Sequence, residues 1–145
     1  MYKSVWQRHW RDFREVYPER FAHRYGDLTP EKCHVTFTLP GTVTRALFDK
    51  RFFCEELITV AAGVYWKELL KSAGNPGKEW QSGSIAALHK CGNALNYNPH
   101  VHLIGTRELV DTTSGEILRS PFLNYRRMRF SWMNAALRLF RKNGI

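Results

Sequence analysis

Pro99-His100-Val101-His102-Leu103-Ile104-Gly105 restricts the possible folds more than any other stretch of this chain. A proline opens it, a glycine closes it, and β-branched and aliphatic residues fill it, so it reads as a strand that continues toward Val110. Side chains alternate across a strand, which puts His100 and His102 on one face and Val101 and Leu103 on the other. An imidazole buried without a partner is costly, so the fold must give this pair a ligand, a hydrogen-bond partner or water. Two neighbouring imidazoles on one sheet face can chelate a single divalent cation without distorting the backbone. The pattern arises readily by chance in a chain with six histidines, so the surroundings have to decide. Leu88-His89 lies near the end of a second apolar run a short connection upstream. If the two strands are neighbours, His89 is a candidate third ligand. Its competing reading is a hydrogen-bonded or solvent-facing side chain.

The other elements are legible from the same periodicities. Cys33 to Leu39 is rich in β-branched and aromatic residues and is closed by Pro40-Gly41, which predicts a strand. His34, Thr36 and Thr38 then share one face, which looks into a site or into solvent, and Val35, Phe37 and Leu39 share the other. Ser84 to Cys91 reads as a further strand, and Thr112-Thr113-Ser114-Gly115 as a hairpin turn into Glu116-Ile117-Leu118. Val5, Trp6, Trp10, Phe13, Val16, Tyr17 and Phe21 recur at helical steps and predict a helix over 3–24, interrupted or restarted at Pro18. Residues 43–72 predict helix in two pieces, followed by a loop at Gly74-Asn75-Pro76-Gly77. After Pro121 a basic amphipathic helix runs to about Lys142. The expected fold class is α/β in the α+β sense. Antiparallel strands near 33–39, 84–91, 100–110 and 116–119 would be covered by the 43–72 and 122–142 helices. Residues 1–32 form an expected N-terminal helical segment, and 33–145 the domain that carries the histidines.

Charge narrows the partner. Lys and Arg outnumber Asp and Glu by 22 to 13, a net charge of +9. Nucleic acid is the usual polyanionic partner of such a surface, because cationic side chains release counterions from phosphates. Five Trp, six Tyr and nine Phe exclude disorder for most of the chain. The longest apolar stretch, Leu57 to Trp66, is interrupted at Thr59 and falls short of the ~20 residues a membrane span needs. The N-terminus has no apolar core followed by a small-residue cleavage site, so no secretory signal is read there. Cys33, Cys54 and Cys91 are odd in number and far apart, without a CxxC pair. Neither a disulfide framework nor a cysteine zinc ribbon is supported, and reduced thiols in a cytoplasmic protein are expected.

Three segments taken together carry a family resemblance. Cys33-His34-Val35-Thr36-Phe37-Thr38-Leu39-Pro40 precedes Leu88-His89-Lys90-Cys91-Gly92, which precedes Leu95-Asn96-Tyr97-Asn98-Pro99-His100-Val101-His102-Leu103-Ile104. In order and spacing they resemble the rolling-circle insertion-sequence transposases of the HUH class, two-tyrosine type. There a "TFTLP"-like strand, a "TxG" element and a "HPHxH" strand follow one another. Phe13 to Tyr17, Glu19-Arg20-Phe21 and Arg24-Tyr25-Gly26 resemble the opening segment of those transposases, and Leu137 to Ile145 the helix after their histidine strand. The resemblance implies an HUH-endonuclease-like central antiparallel sheet flanked by helices. It also implies nicking of single-stranded DNA by a tyrosine through a 5′-phosphotyrosine linkage. The implied cofactor is Mg²⁺ or Mn²⁺, held by two histidines and a third polar residue. Carried over, the metal ligands are His100 and His102 with His89 as the third. Asn98 stands where the family more usually has histidine.

Two departures bear on activity. The family's Cys-rich zinc ribbon has no counterpart between Tyr25-Gly26-Asp27-Leu28-Thr29-Pro30 and Cys33. The family's catalytic tyrosines lie on a helix well beyond the histidine strand, so the expectation is a shortened or internally deleted transposase. Tyr125, at the start of a basic helix after that strand, is the candidate nucleophile. Its other reading is a packing or phosphate-contacting aromatic. Trp132 has two readings in the same way, a base-stacking platform or a core residue. The alternative function is a non-catalytic DNA-binding accessory protein or a decaying transposase remnant. A hydrolase that uses water as nucleophile finds little support, because no carboxylate is clustered beside the two histidines in the sequence; the acids shortly downstream are Glu108 and Asp111.

Overall fold

The alternation around the histidines is realised in a long central strand. The structure is a computed structural model and describes residues 31–47, 54–74, 78–91, 96–119 and 121–145. These residues lie in one unit, Glu31–Ile145. The elements in chain order are β1 (Lys32–Phe37), α1 (Gly41–Ala46), α2 (Glu56–Ala73), β2 (Trp80–Gln81), β3 (Ser84–Cys91), β4 (Tyr97–Thr106), β5 (Glu108–Asp111), β6 (Ile117–Arg119) and α3 (Tyr125–Lys142). The expected mixed fold with antiparallel pairing is what the chain adopts. The helix expected over 3–24 lies outside the described residues.

The expected single sheet is instead two three-stranded antiparallel sheets, ordered β1-β4-β3 and β2-β5-β6. The strand expected over 100–110 divides at Arg107. The Arg107 amide still donates to the Glu31 carbonyl at 2.7 Å, at the edge of the first sheet. One residue later the chain enters β5, which pairs with β2 and β6. The polar stretch Gly105-Thr106-Arg107-Glu108 separates the two apolar runs at this junction, but which strands each half pairs with is not a local property of the sequence. β2 is two residues long, too short to show a period.

Helices cover one face of the first sheet. On β4, Val101 and Leu103 are fully buried; on β1, Phe37 is nearly so. α2 presents Leu57, Ala61, Val64, Tyr65 and Leu69 to this core at three- and four-residue steps. It ends on Gly74 at φ +63°, a left-handed conformation that glycine adopts without penalty. α3 adds Met128, Trp132, Ala136, Leu139 and Phe140. The Trp132 ring packs 5.1 Å from that of Phe37, and its indole N–H donates to the Thr38 carbonyl at 2.8 Å. Trp132 is therefore a core residue, 6% exposed, and does not offer a stacking platform. Gly105 lets α2 approach closely, because a Cβ at that position would fall within the Tyr65 ring.

A buried carboxylate joins the two long helices. Glu68 on α2 accepts from Arg127 Nε at 2.9 Å and Nη2 at 2.6 Å, and from the Asn124 amide at 3.1 Å. Asn124 caps α3 by accepting from the Arg127 amide. The start of α3 is thus fixed against α2 by polar contacts and its middle by apolar ones, and at its last residue Lys142 forms an exposed ion pair with Glu56 of α2 at 3.3 Å. No described helix is long and apolar enough to cross a membrane.

Candidate metal centre

Strand register decides which side chains meet on the other face of the first sheet. His89 on β3 lies directly opposite His100 on β4. His102 lies between Thr36 of β1 and Ala87 of β3. Directly opposed residues share a face, so His34, Thr36, Ala87, His89, His100 and His102 all project away from the helices. These side chains are exposed or half-buried. The small Ala87 side chain beside His102 leaves the His102 ring free to approach His89.

The rings gather around His102. Its centroid is 4.4 Å from that of His89, 4.9 Å from that of His100 and 5.0 Å from that of His34. One donor atom from each of His89, His100 and His102 can be chosen so that all lie within 4.8 Å of one another. Nitrogens bound at about 2.1 Å to one ion stand at most about 4.2 Å apart, so a small side-chain rotation closes the set. Among the described residues this is the one cluster of metal-ligating side chains. The strands bring the three sequence-predicted ligands together.

Hydrogen bonds orient two of the rings. His100 Nδ1 lies 2.7 Å from the Asn98 carbonyl. A carbonyl can only accept, so Nδ1 carries the proton and, in the neutral ring, Nε2 keeps its lone pair. His102 Nδ1 lies 2.8 Å from His34 Nε2 and 3.4 Å from Thr36 Oγ1. The sequence puts His34 on a polar strand face that looks into a site or into solvent, and the structure turns it toward His102. The signal that could have found it was the His34-Thr36-Thr38 alternation read against an antiparallel histidine strand.

His102 resists protonation. Burial, followed by the neighbouring His89, His100 and His34 rings, pushes its pKa down from 6.5 to about 4. At neutral pH it is an uncharged base with a lone pair to give. This has a consequence for metal-free stability. In the unfolded chain His102 takes up its proton near pH 6.5, but in the folded chain only near pH 4. Between these values the unfolded state binds more protons, so stability falls as pH drops through the window. A shift of this size corresponds to roughly 3 kcal/mol. Screening by water at a half-exposed ring reduces the expected loss to about 1–2 kcal/mol. Urea titrations at pH 7 and pH 4 in the presence of a chelator measure it, with the His102→Ala variant separating this ring from other titrating groups.

The remaining candidates lie elsewhere. Tyr125 is 56% exposed and opens α3, the helix that packs through Trp132 on the opposite side of the sheet. It does not join the histidines. Tyr65 lies beneath Gly105, and the Tyr97 hydroxyl meets the buried Cys54 thiol at 3.1 Å. All three described tyrosines are therefore on the helix side of the sheet. Asp111 also stays apart. Its carboxylate accepts from the Ser114 hydroxyl and the Glu79 and Thr113 amides, and chiefly the Ser114 bond holds it below the usual carboxylate range. It organises the β5–β6 turn.

The sequence is 37% identical over 70 residues to the transposase for insertion sequence element IS801 of Pseudomonas savastanoi pv. phaseolicola. The matched segment is 48% of this chain and 16% of that relative, so it spans well under two thirds of the relative's length. No family model and no solved structure matches. Over about half its length the chain is thus similar to an insertion-sequence transposase.

Proposed function

We propose that the chain is a transposase-like protein of the HUH class that binds single-stranded DNA and holds a divalent ion at His89, His100 and His102. The observation that carries this reading is the convergence of three imidazoles from two paired strands on one open sheet face. The match to an insertion-sequence transposase and the net charge of +9 support the nucleic-acid partner.

The donor set fits an ion of intermediate hardness. Three imidazoles suit Zn²⁺, Fe²⁺ or Ni²⁺ best; Mn²⁺ and Mg²⁺ both favour oxygen, but Mn²⁺ accepts nitrogen more readily than Mg²⁺, which retains its water. Of the two ions the resemblance implies, Mn²⁺ is the better match. When bound, such an ion supplies Lewis-acid polarisation of a scissile phosphate and fixes its orientation. The chain's own part is to keep His102 neutral, to hold His100 with Nε2 bare, and to leave the face open to a flexible strand.

The placement of the described tyrosines supports a second reading, an accessory protein that binds DNA and metal without a covalent step. One experiment addresses both. Labelled single-stranded and duplex oligonucleotides are titrated with protein, with Mn²⁺ or with a chelator, and the products are run on a denaturing gel. Tighter binding of the single strand in Mn²⁺ is expected, with affinity falling steeply as salt rises. Equal binding of duplex, or indifference to Mn²⁺, contradicts the proposal. A covalent adduct supports strand transfer, and its persistence in Tyr125→Phe would place the nucleophile on another tyrosine. Binding without an adduct favours the accessory role.

A further inference from the structure

We infer that His34 is a positioning residue that holds His102 in the tautomer able to bind metal. The inference rests on the metal-centre reading above. A hydrogen bond between two neutral imidazoles needs one donor and one acceptor, so the 2.8 Å contact between His34 Nε2 and His102 Nδ1 admits two arrangements. If His34 donates, His102 Nδ1 accepts, and the His102 proton sits on Nε2, which removes that lone pair. If His34 accepts, His102 carries its proton on Nδ1 and its Nε2 is bare. The second arrangement makes His102 match His100, whose Nδ1 proton is fixed by the Asn98 carbonyl.

Metal binding requires the second arrangement, because His34 takes up Nδ1 and leaves Nε2 as the nitrogen that can meet an ion, which it does only when the proton sits on Nδ1. The Thr36 hydroxyl, 3.4 Å from Nδ1, can serve as donor or acceptor and so fits that arrangement without imposing it. The His34 and His102 rings are nearly parallel, 22° between planes, in a contact that spans the β1–β4 pair. His34 therefore does from the neighbouring strand what a carboxylate or carbonyl commonly does behind a metal-bound histidine. It needs no bond to the ion. The arrangement also accounts for a histidine on an exposed edge strand facing the cluster rather than water alone.

The test separates His34 from the metal site itself. Nitrogen NMR of the imidazoles in metal-free protein at about pH 8, above the usual imidazole range, reports which His102 nitrogen bears the proton. The expected result is an Nδ1–H tautomer in the wild type and a mixture or the Nε2–H form in His34→Ala. His34→Gln retains a side-chain carbonyl acceptor and is expected to restore Nδ1–H. Calorimetry with Mn²⁺ should then show a roughly 10–100-fold weaker affinity for His34→Ala, largely recovered in His34→Gln. An Nε2–H tautomer in the wild type, or an unchanged Nδ1–H form in His34→Ala, overturns the inference. If the wild type takes up no Mn²⁺, the metal reading fails, while the tautomer result still decides whether His34 orients His102.

Discussion

His102→Ala is expected to weaken Mn²⁺ binding by at least about 100-fold, more than the loss of an orienting partner produces, while making the metal-free protein less sensitive to acid. The two effects have one cause. His102 is the ring that His34, His89 and His100 all approach within 5.0 Å. Burial first, and that crowding second, keep it neutral and available to a cation, and they also make the folded state refuse a proton that the unfolded state accepts. Alanine removes the donor and the crowding together. Calorimetry with Mn²⁺ and urea titrations at pH 7 and pH 4 check both halves. Loss of metal uptake with an undiminished fold places His102 at the centre of a binding site. Loss of both would mean that the ring is structural. Full retention of Mn²⁺ affinity would dismiss the centre altogether.

The histidine strand was legible because a period of two needs few residues to declare itself. His100-Val101-His102-Leu103 alternates cleanly, and one face had to be core. His89 followed conditionally, since its role depended on β3 and β4 being neighbours, which the register now satisfies. His34 was harder to read. Its partner is 68 residues away in sequence, and only the β1–β4 pairing brings the rings together. The position of Tyr125 was legible in part. Its helix was expected, but which sheet face that helix covers depends on Trp132 meeting Phe37, a contact between residues far apart in the chain. Local pattern thus specified the elements, and pairing specified the site. The division of the expected 100–110 strand at Arg107 follows the same rule: the polar Thr106-Arg107-Glu108 stretch is local, but the exchange of hydrogen-bond partners there is set by pairing.

The close approach of α2 to the histidine strand predicts the largest stability effect of a small substitution. Gly105→Ala is expected to destabilise the fold by about 2–4 kcal/mol, combining overpacking with disturbed buried hydrogen bonds. Gly105 is buried in β4, and a Cβ there would overlap the Tyr65 ring itself, where no flexible tip can swing aside. Tyr65 is 2% exposed, and its hydroxyl donates to the Thr106 carbonyl at 2.9 Å and meets the Cys33 thiol at 3.2 Å. Burial and the adjacent thiol raise its pKa, so the phenol remains protonated and keeps donating. Moving the ring to admit a methyl group would strain or break these contacts. Tyr65→Ala alone should cost about 3–5 kcal/mol through the cavity it leaves. On that background Gly105→Ala should cost almost nothing, because the methyl enters space the ring vacated. Urea titration of both single variants and the double variant measures the coupling. Additive losses would show that the glycine serves strand geometry rather than the helix contact. Strong non-additivity would show that the spacing between α2 and β4, the strand that carries His100 and His102, depends on a side chain being absent at position 105.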